Sequence, residues 1–153
     1  MFYADVSRLF IWQAYMQAVS DIMIKNIVTC PIDGSLLTGH RLMREKEIRH
    51  LPIVNAAGQL EGILSQKEVL KEVLTIVNDR GAHRLEYYED RIPVKAIMSP
   101  ANSVLPDISI AEAGEYFLKH KAGCLTITDT DNKLVGIVSS HDFVKLSIRL
   151  LKH

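Results

Sequence analysis

The hydrophobic and polar positions of this 153-residue chain run through the same order twice. Each copy begins with a short apolar stretch and continues into a segment whose apolar residues recur at helical spacing. Two β-branched runs then flank a polar tip rich in Asn, Asp or Gly, which is typical of a β-hairpin. A second helical segment closes the copy. The pattern therefore predicts a β-α-β-β-α unit that is used twice.

The two copies are also related residue by residue. Residues 50–70 (HLPIVNAAGQLEGILSQKEVL) and 124–144 (CLTITDTDNKLVGIVSSHDFV) share six of 21 positions at an offset of 74 residues. Upstream, the tripeptide DIM at 21–23 corresponds to AIM at 96–98 at an offset of 75. One residue is therefore gained or lost between these tripeptides and the segments that match at 74. An internal repeat of this length predicts two similar supersecondary units that each need a partner surface.

The first strand and helix are easier to locate in the second copy than in the first. The second copy places its first strand at Ser103-Val104, and Ser109 with Glu112 forms a capping-box pattern where its helix begins. The first copy places its first strand at Ile27-Val28. Its helix is less regular, because His40 and Arg44 fall on the stripe that should be apolar.

These patterns predict an α/β (α+β) fold with four segments along the chain. We expect an N-terminal helix at 1–18, a first repeat at 19–77, a linker at 78–92 and a second repeat at 93–153. A repeat of this size is marginally stable by itself, so the two should pack together with pseudo-two-fold symmetry. The linker is rich in charged residues, and we expect it to face solvent.

Composition and charge exclude several functional classes. The chain is 48% hydrophobic, and its 18 basic and 18 acidic residues balance, which argues against a general nucleic-acid binder. Cys30 and Cys124 form no CxxC pattern, so neither a metal site nor a disulfide framework is indicated. No run of 18 apolar residues could span a membrane, and the N-terminus lacks the pattern of a signal peptide. The expected location is the cytoplasm.

A short polar motif follows the hairpin in each copy. The second copy has Gly136, Ser139 and Asp142, and the first copy has Gly62 and Ser65 followed by a glutamate. A strand-to-helix turn directs free N–H groups and the helix dipole at one point, which suits a phosphate. The same residues also fit a purely structural role, with Ser and the acid capping a helix and the glycine serving packing. A Ser-His-Asp catalytic triad at 139–142 is excluded because neighbours on one helical turn point apart.

In its motifs the chain resembles a tandem pair of cystathionine-β-synthase-type (CBS) domains, a Bateman module. The matching pieces are VSDIM with VKAIM, HLPIV with CLTIT, and GILSQKE with GIVSSHD, and together they cover residues 19–151. The resemblance implies a stand-alone regulatory module rather than an enzyme. It implies that an adenine nucleotide or a related adenosyl ligand binds in the cleft between the repeats, with Ser139 at the phosphate and Asp142 at the ribose. The first site is expected to be weaker, since Glu68, three residues after Ser65, replaces the aspartate.

The resemblance implies further ligand contacts around both sites. Adenine would meet residues of the first strand in each repeat, and phosphates would meet basic residues. Arg49 and His50, whose counterparts are Gly123 and Cys124, are expected to serve a phosphate at Ser139. The remaining candidates are Ser103, Val104, Leu105 and His141 for the second site and Val28, Thr29, Cys30 and Lys67 for the first.

The expected ligand is AMP, ADP, ATP or another adenosyl compound, and no cofactor is required. Ligand binding would then change contacts with a second copy or with an unknown target protein in trans. The apolar N-terminal segment supports this, because 13 of residues 2–19 are apolar and cover more than one helical stripe. A homodimer contact is the leading interpretation, and a membrane-surface helix is weaker because no Lys/Arg cluster accompanies it. The alternatives are a ligand-free interaction or dimerisation module and a cryptic nucleotide-processing enzyme, which no acid–base pair favours.

Overall fold

The computed structural model describes residues 16–152 of the chain. Most of the predicted N-terminal helix, residues 1–15, therefore lies outside the described residues. Residues 16–18 are not helical. Ala18 is extended and forms an antiparallel bridge with Ser109, so the last part of that predicted helix is wrong.

The predicted order of elements is confirmed in both copies, which together form a mixed fold of helices and strands. The strands are β1 Cys30–Pro31, β2 His50–Val54, β3 Leu60–Ser65, β4 Ser103–Val104, β5 Cys124–Thr128 and β6 Leu134–Ser139. The helices are α1 Leu36–Lys46, α2 Gln66–Arg80, α3 Leu85–Glu89, α4 Ile110–His120 and α5 Ser140–Leu151. Each predicted hairpin turns through a residue in the left-handed region, where φ is 79° at Gly58 and 61° at Asn132.

The strands form two three-stranded sheets with the orders β1-β2-β3 and β4-β5-β6. In each sheet the first two strands are parallel. The first strand of copy one lies at Cys30–Pro31 and not at the predicted Ile27-Val28. Cys30 pairs with Ile53 and fills the core, whereas Val28 is only partly buried. A two-residue strand is defined by its partner rather than by its own pattern, which explains the shift.

The chain divides into two compact units, and neither is a continuous stretch. The first unit contains residues 27–102 and 130–134, and the second contains the described residues up to 26 together with 103–129 and from 135 onward. The opening segment of each repeat, before its first strand, therefore packs with the sheet of the other repeat. Ile24 exchanges two backbone hydrogen bonds with Ile137 on β6, at 2.8 and 3.0 Å, and Ser99 exchanges two with Ile63 on β3, both at 2.9 Å.

Each unit has its own hydrophobic core between its sheet and its helices. Fully burying one aliphatic side chain contributes about 1.5–3 kcal/mol, so each cluster accounts for much of its unit's stability. The buried residues of the first core include Leu36, Leu51, Ile53, Leu64 and Val94. Those of the second core include Val19, Ala113, Leu125, Ile127 and Val138.

The linker is largely helical, and one of its acidic residues is buried. Helix α2 continues to Arg80 and α3 covers Leu85–Glu89. The Glu89 side chain is only 2% exposed and is hydrogen-bonded to His40 on α1, with 2.5 Å between Oε1 and Nδ1. The expectation that the linker faces solvent is therefore wrong at Glu89. Burial of this carboxylate is possible because His40 supplies a polar partner.

Candidate functional site

The second unit presents a capped helix start where β6 runs into α5. Oδ2 of Asp142 accepts hydrogen bonds from the Ser139 N–H at 2.8 Å and from the Ser139 hydroxyl at 2.9 Å. These bonds fix the carboxylate over the first turn of the helix. Among residues 16–152, no hydrogen-bond donor contacts Oδ1 of Asp142. Oδ2 is therefore positioned by the protein, whereas Oδ1 has no hydrogen-bond donor among the described residues.

The same turn offers backbone donors and a favourable dipole. The first-turn N–H groups of an α-helix have no intrahelical acceptors, and the helix dipole is positive at this end. One of them, the N–H of Ser140, is already used, because it donates to the carbonyl of Gly123 at 3.3 Å. Ser139 and Asp142 are both partly buried, so an anion bound here would be partly shielded from water.

The first unit builds the equivalent turn differently, where β3 runs into α2. Oε2 of Glu68 accepts from the Ser65 N–H at 2.7 Å, and the Glu68 N–H donates to Oγ of Ser65 at 3.3 Å. The other carboxylate oxygen, Oε1, accepts a hydrogen bond from the hydroxyl of Ser99. Both carboxylate oxygens of Glu68 are thus held by the protein itself.

The glycines of the two motifs make room for methionines. A Cβ at Gly62 would lie 2.7 Å from Sδ of Met98 and 2.9 Å from the carbonyl oxygen of Ser99. A Cβ at Gly136 would overlap the side chain of Met23. Each glycine therefore admits the methionine of the DIM or AIM tripeptide, which supports the packing interpretation. A ligand contact by Gly136 stays a prediction.

Arg49 and His50 lie in the first unit, next to Ser65. His50 is paired with Ser65 in the β2–β3 ladder, and the Arg49 carbonyl accepts from the N–H of Gln66 at 2.8 Å. Arg49 is exposed and His50 is partly buried. Burial, followed by the charge of Arg49, lowers the pKa of His50 below its ordinary value. Their predicted role at Ser139, a residue of the second unit, stays a prediction.

The second unit has Gly123 and Cys124 at the corresponding positions. Burial, with a smaller contribution from the Asp142 carboxylate, raises the pKa of the Cys124 thiol to about 12, so this thiol is neutral at pH 7. The strand residues beside Asp142 therefore bring no positive charge to this turn. His141 and Lys67, each one position before the acid of its repeat, are exposed.

The first strands place the predicted adenine-contacting residues at different depths. Oγ of Ser103 is hydrogen-bonded to Oγ1 of Thr126 on β5 at 2.7 Å, Val104 packs on the core, and Leu105 is 47% exposed. In the first unit Cys30 is completely buried and Thr29 is partly buried.

The strand registers also locate the residue gained or lost between the copies. Cys30 and Val104 occupy equivalent places at an offset of 74, whereas Ile24 and Ser99 are equivalent at 75. The first copy therefore has one residue more between Ile24 and β1 than the second copy has between Ser99 and β4. The structural counterparts of Ser103, Val104 and Leu105 are Thr29, Cys30 and Pro31, one position beyond the predicted Val28–Cys30.

Ser99 is the residue of these two turns that sequence reasoning missed. It precedes Pro100 in a loop, and it is 31 residues from Glu68 in the chain. The one available signal is its alignment with Ile24, where a hydroxyl replaces an aliphatic side chain directly after the shared methionine.

The described part of the chain also bears on metal binding and on membrane spanning. No group of three His, Cys, Asp or Glu residues there is arranged to hold a metal ion. No helix there has the length and apolar character needed to cross a bilayer.

Comparison with protein families finds the CBS domain model twice, at residues 19–75 and 94–149. Curated relatives include homoserine O-acetyltransferases of methanogenic archaea. The one from Methanosarcina acetivorans is 28% identical over 128 residues, which are 84% of this chain. The chain spans only 21% of that protein's length.

Solved structures with the same architecture include a putative acetoin utilization protein, AcuB, from Vibrio cholerae. It is 33% identical, with a TM-score of 0.73 over 90% of this chain and 94% of that one. CBSX2 in complex with AMP is 22% identical, with a TM-score of 0.70 over 87% and 97% of the two chains. The CBS domain pair of protein MJ0100, in complex with 5'-methylthioadenosine and S-adenosyl-L-methionine, is 22% identical, with a TM-score of 0.69 over 86% and 95%. At 22% identity these last two similarities show the fold alone.

Proposed function

This chain belongs to the CBS domain family, and from that premise we propose that it is a regulatory module that binds an adenine nucleotide or a related adenosyl compound. The proposed site is the start of α5, around Ser139 and Asp142. The observation that carries the proposal is the arrangement of the Asp142 carboxylate, with Oδ2 held by Ser139 and Oδ1 open among the described residues.

The geometry suits a ribose bearing two neighbouring hydroxyls. A carboxylate accepts several hydrogen bonds, and bonds from hydroxyl donors to an ionised acceptor are among the stronger ones. The N-terminal turn of α5 would meet a phosphate or another electron-rich group. The Ser139 hydroxyl would turn from Oδ2 of Asp142 to the phosphate in order to donate to it. The adenine base would lie against Ser103, Val104 and the exposed Leu105.

The choice of an adenosyl ligand is supported by the ligands named for two structural neighbours. AMP, 5'-methylthioadenosine and S-adenosyl-L-methionine share adenosine and differ in charge and in the 5' substituent. Recognition through ribose and base would fit all three. The neutral Cys124 beside Asp142 is compatible with ligands that carry little negative charge. Arg49 and His50 would be needed most for ligands with two or three phosphates.

The regulatory output is proposed to run through contacts with a second copy or with a target protein. Helix α5 supports this, because Val144, Ile148 and Leu151 follow one helical stripe and are 55%, 47% and 86% exposed. A ligand can shift such contacts only as far as it binds their alternative arrangements with different affinity. Sedimentation velocity with and without ligand would test this, and an unchanged distribution would contradict it.

Calorimetric titration with AMP, ADP, ATP, 5'-methylthioadenosine and S-adenosylmethionine tests the binding function. We expect at least one compound to bind the wild-type protein and to lose most of its affinity in Asp142→Ala. Glu112→Ala, which also removes a capping-box acid, is the matched control, and its affinity should be unchanged. Equal binding by wild type and Asp142→Ala would remove the proposed site.

A ligand-free interaction or dimerisation module is the second candidate. It is favoured because both motif glycines make room for a methionine side chain, which is a packing role that needs no ligand. No binding of any of the five compounds, together with a stable dimer, would establish it. The partial match to homoserine O-acetyltransferases gives no reason to propose acetyl transfer. Product analysis after incubation with nucleotides would test for an enzyme.

A further inference from the structure

We propose that Ser99 closes the first repeat to ligands, so that the chain binds one adenosyl ligand and not two. The inference deepens the proposed function and rests on it. It identifies Ser99 as a residue that determines how many of the two related turns accept a ligand, although Ser99 lies outside both motifs.

The Ser99 hydroxyl takes the place that a ribose hydroxyl would need. Ser99 donates to Oε1 of Glu68, while Oε2 is already occupied by the Ser65 N–H. A ribose at this turn would have to displace the Ser99 hydroxyl from the carboxylate. Ser99 is fixed to β3 by two backbone hydrogen bonds with Ile63, both 2.9 Å long. Its hydroxyl is therefore always near Glu68, and a diffusing ligand competes with a partner that is already in position.

The second unit lacks both parts of this arrangement. Ile24 occupies the position of Ser99, since it bridges to Ile137 as Ser99 bridges to Ile63. Its aliphatic side chain offers no hydrogen bond. The acid is also one methylene shorter, and it folds back onto Ser139 through Oδ2 alone. Serine thus accompanies the longer acid in the closed turn, and isoleucine accompanies the shorter acid in the open one.

The pairing indicates that the two positions work together. Glu68 has the length to contact the Ser65 N–H with one oxygen and Ser99 with the other. Replacing it by aspartate and removing the Ser99 hydroxyl should recreate the arrangement of the second unit. The reverse exchange at Ile24 and Asp142 should recreate the closed turn.

The experiment counts ligands by calorimetry, with AMP and S-adenosylmethionine as probes. We expect one site in wild type, two in Glu68→Asp/Ser99→Ala, and none in Ile24→Ser/Asp142→Glu. Ser99→Ala alone should add a second, weaker site, because Glu68 is then free at one oxygen. Far-UV circular dichroism and urea unfolding verify that each variant is folded before its sites are counted.

Each result decides between the two levels of the proposal. Two sites in wild type, or one site in wild type and still only one in a folded Glu68→Asp/Ser99→Ala protein, would overturn the role of Ser99 and leave the proposed function intact. No site in wild type but one in that variant would overturn binding at Asp142 and support the role of Ser99. No site in either protein would overturn both.

Discussion

The two strand-to-helix turns have nearly the same backbone but differ in how many oxygens of their acidic side chain are hydrogen-bonded to the protein. In the first, Glu68 is held at both oxygens by Ser65 and Ser99. In the second, Asp142 is held at one oxygen by Ser139. The comparison teaches that a duplicated fold can keep its capping chemistry while only one copy keeps an open acceptor. The two turns differ by the extra methylene of the glutamate and by the hydroxyl of Ser99.

The largest expected difference between the turns concerns ligand affinity. Asp142→Ala removes an acceptor that is proposed to take two ribose hydrogen bonds, each contributing about 1.5–3 kcal/mol when one partner is charged. Adenosyl affinity should fall by about 100-fold or more. Glu68→Ala should change it by less than about twofold, as measured by calorimetry. Similar losses in both variants would show that the turns are equivalent.

The motif glycines should differ in how well they accept alanine. At Gly62 a Cβ meets the backbone carbonyl of Ser99 as well as Met98, whereas at Gly136 its three nearest atoms all belong to the side chain of Met23. A side chain can move and a paired backbone cannot. Gly62→Ala should therefore lower the free energy of unfolding by about 2–3 kcal/mol and Gly136→Ala by about 1–2 kcal/mol.

Urea unfolding of the two alanine variants measures this difference. The ordering would be contradicted if Gly136→Ala were the more destabilised protein. Gly58→Ala is a useful reference, because a Cβ there meets no atom within 4 Å and its cost reflects only the positive φ of 79°.

The units also differ where α1 and α4 carry equivalent residues. His40 on α1 pairs with the buried Glu89, whereas its counterpart Gly114 on α4 packs under Phe143. His40→Ala should cost about 2 kcal/mol, because it leaves a buried carboxylate without this partner. His40→Gln keeps a donor and should cost less. Thermal and urea unfolding would both measure the difference, and equal values for the two variants would show that the hydrogen bond contributes little.

The smallest effect should appear in the dependence of stability on pH. His50 and Cys124 are equivalent residues, and of the two side chains only a histidine has an ordinary pKa between pH 5 and 8. The folded-state pKa of His50 lies below its unfolded value, so in the interval between them the unfolded chain binds more protons. Its contribution to stability is complete above the unfolded pKa and is lost as the pH falls toward the folded pKa.

Unfolding free energies at pH 8 and pH 5.5 would reveal this contribution as a difference between wild type and His50→Gln. The variant should lose less stability on acidification than wild type does. Cys124→Ser should follow the wild-type dependence on pH, since burial keeps the Cys124 thiol protonated throughout this range. A wild-type profile parallel to that of His50→Gln would contradict the prediction.

Local pattern predicts the parts of the structure that depend on neighbours in the chain. The hairpins with tips at Gly58 and Asn132 and the capping box at Ser109 and Glu112 follow from residues at most a few positions apart. The motif at Gly136, Ser139 and Asp142 could likewise be located from sequence as a capped strand-to-helix turn. Its ligand role stays a prediction.

The features that sequence reasoning did not predict depend on residues far apart in the chain. Ser99 contacts Glu68 across 31 residues, and Glu89 contacts His40 across 49. The two-residue strand β1 exists only through its pairing with β2. No periodicity within one segment encodes such contacts, because the partner is chosen by the packing of the whole unit.

The opening segment of each repeat packs with the sheet of the other repeat, and this has a consequence for any attempt to divide the molecule. A protease cut near Gly81, between α2 and α3, would leave Ile24 on one fragment and its bridge partner Ile137 on the other, and it would separate Ser99 from Ile63 in the same way. Neither fragment would contain all the segments of one compact unit. The halves should regain structure only when mixed, so gene fission at this point would create two chains that depend on each other for folding.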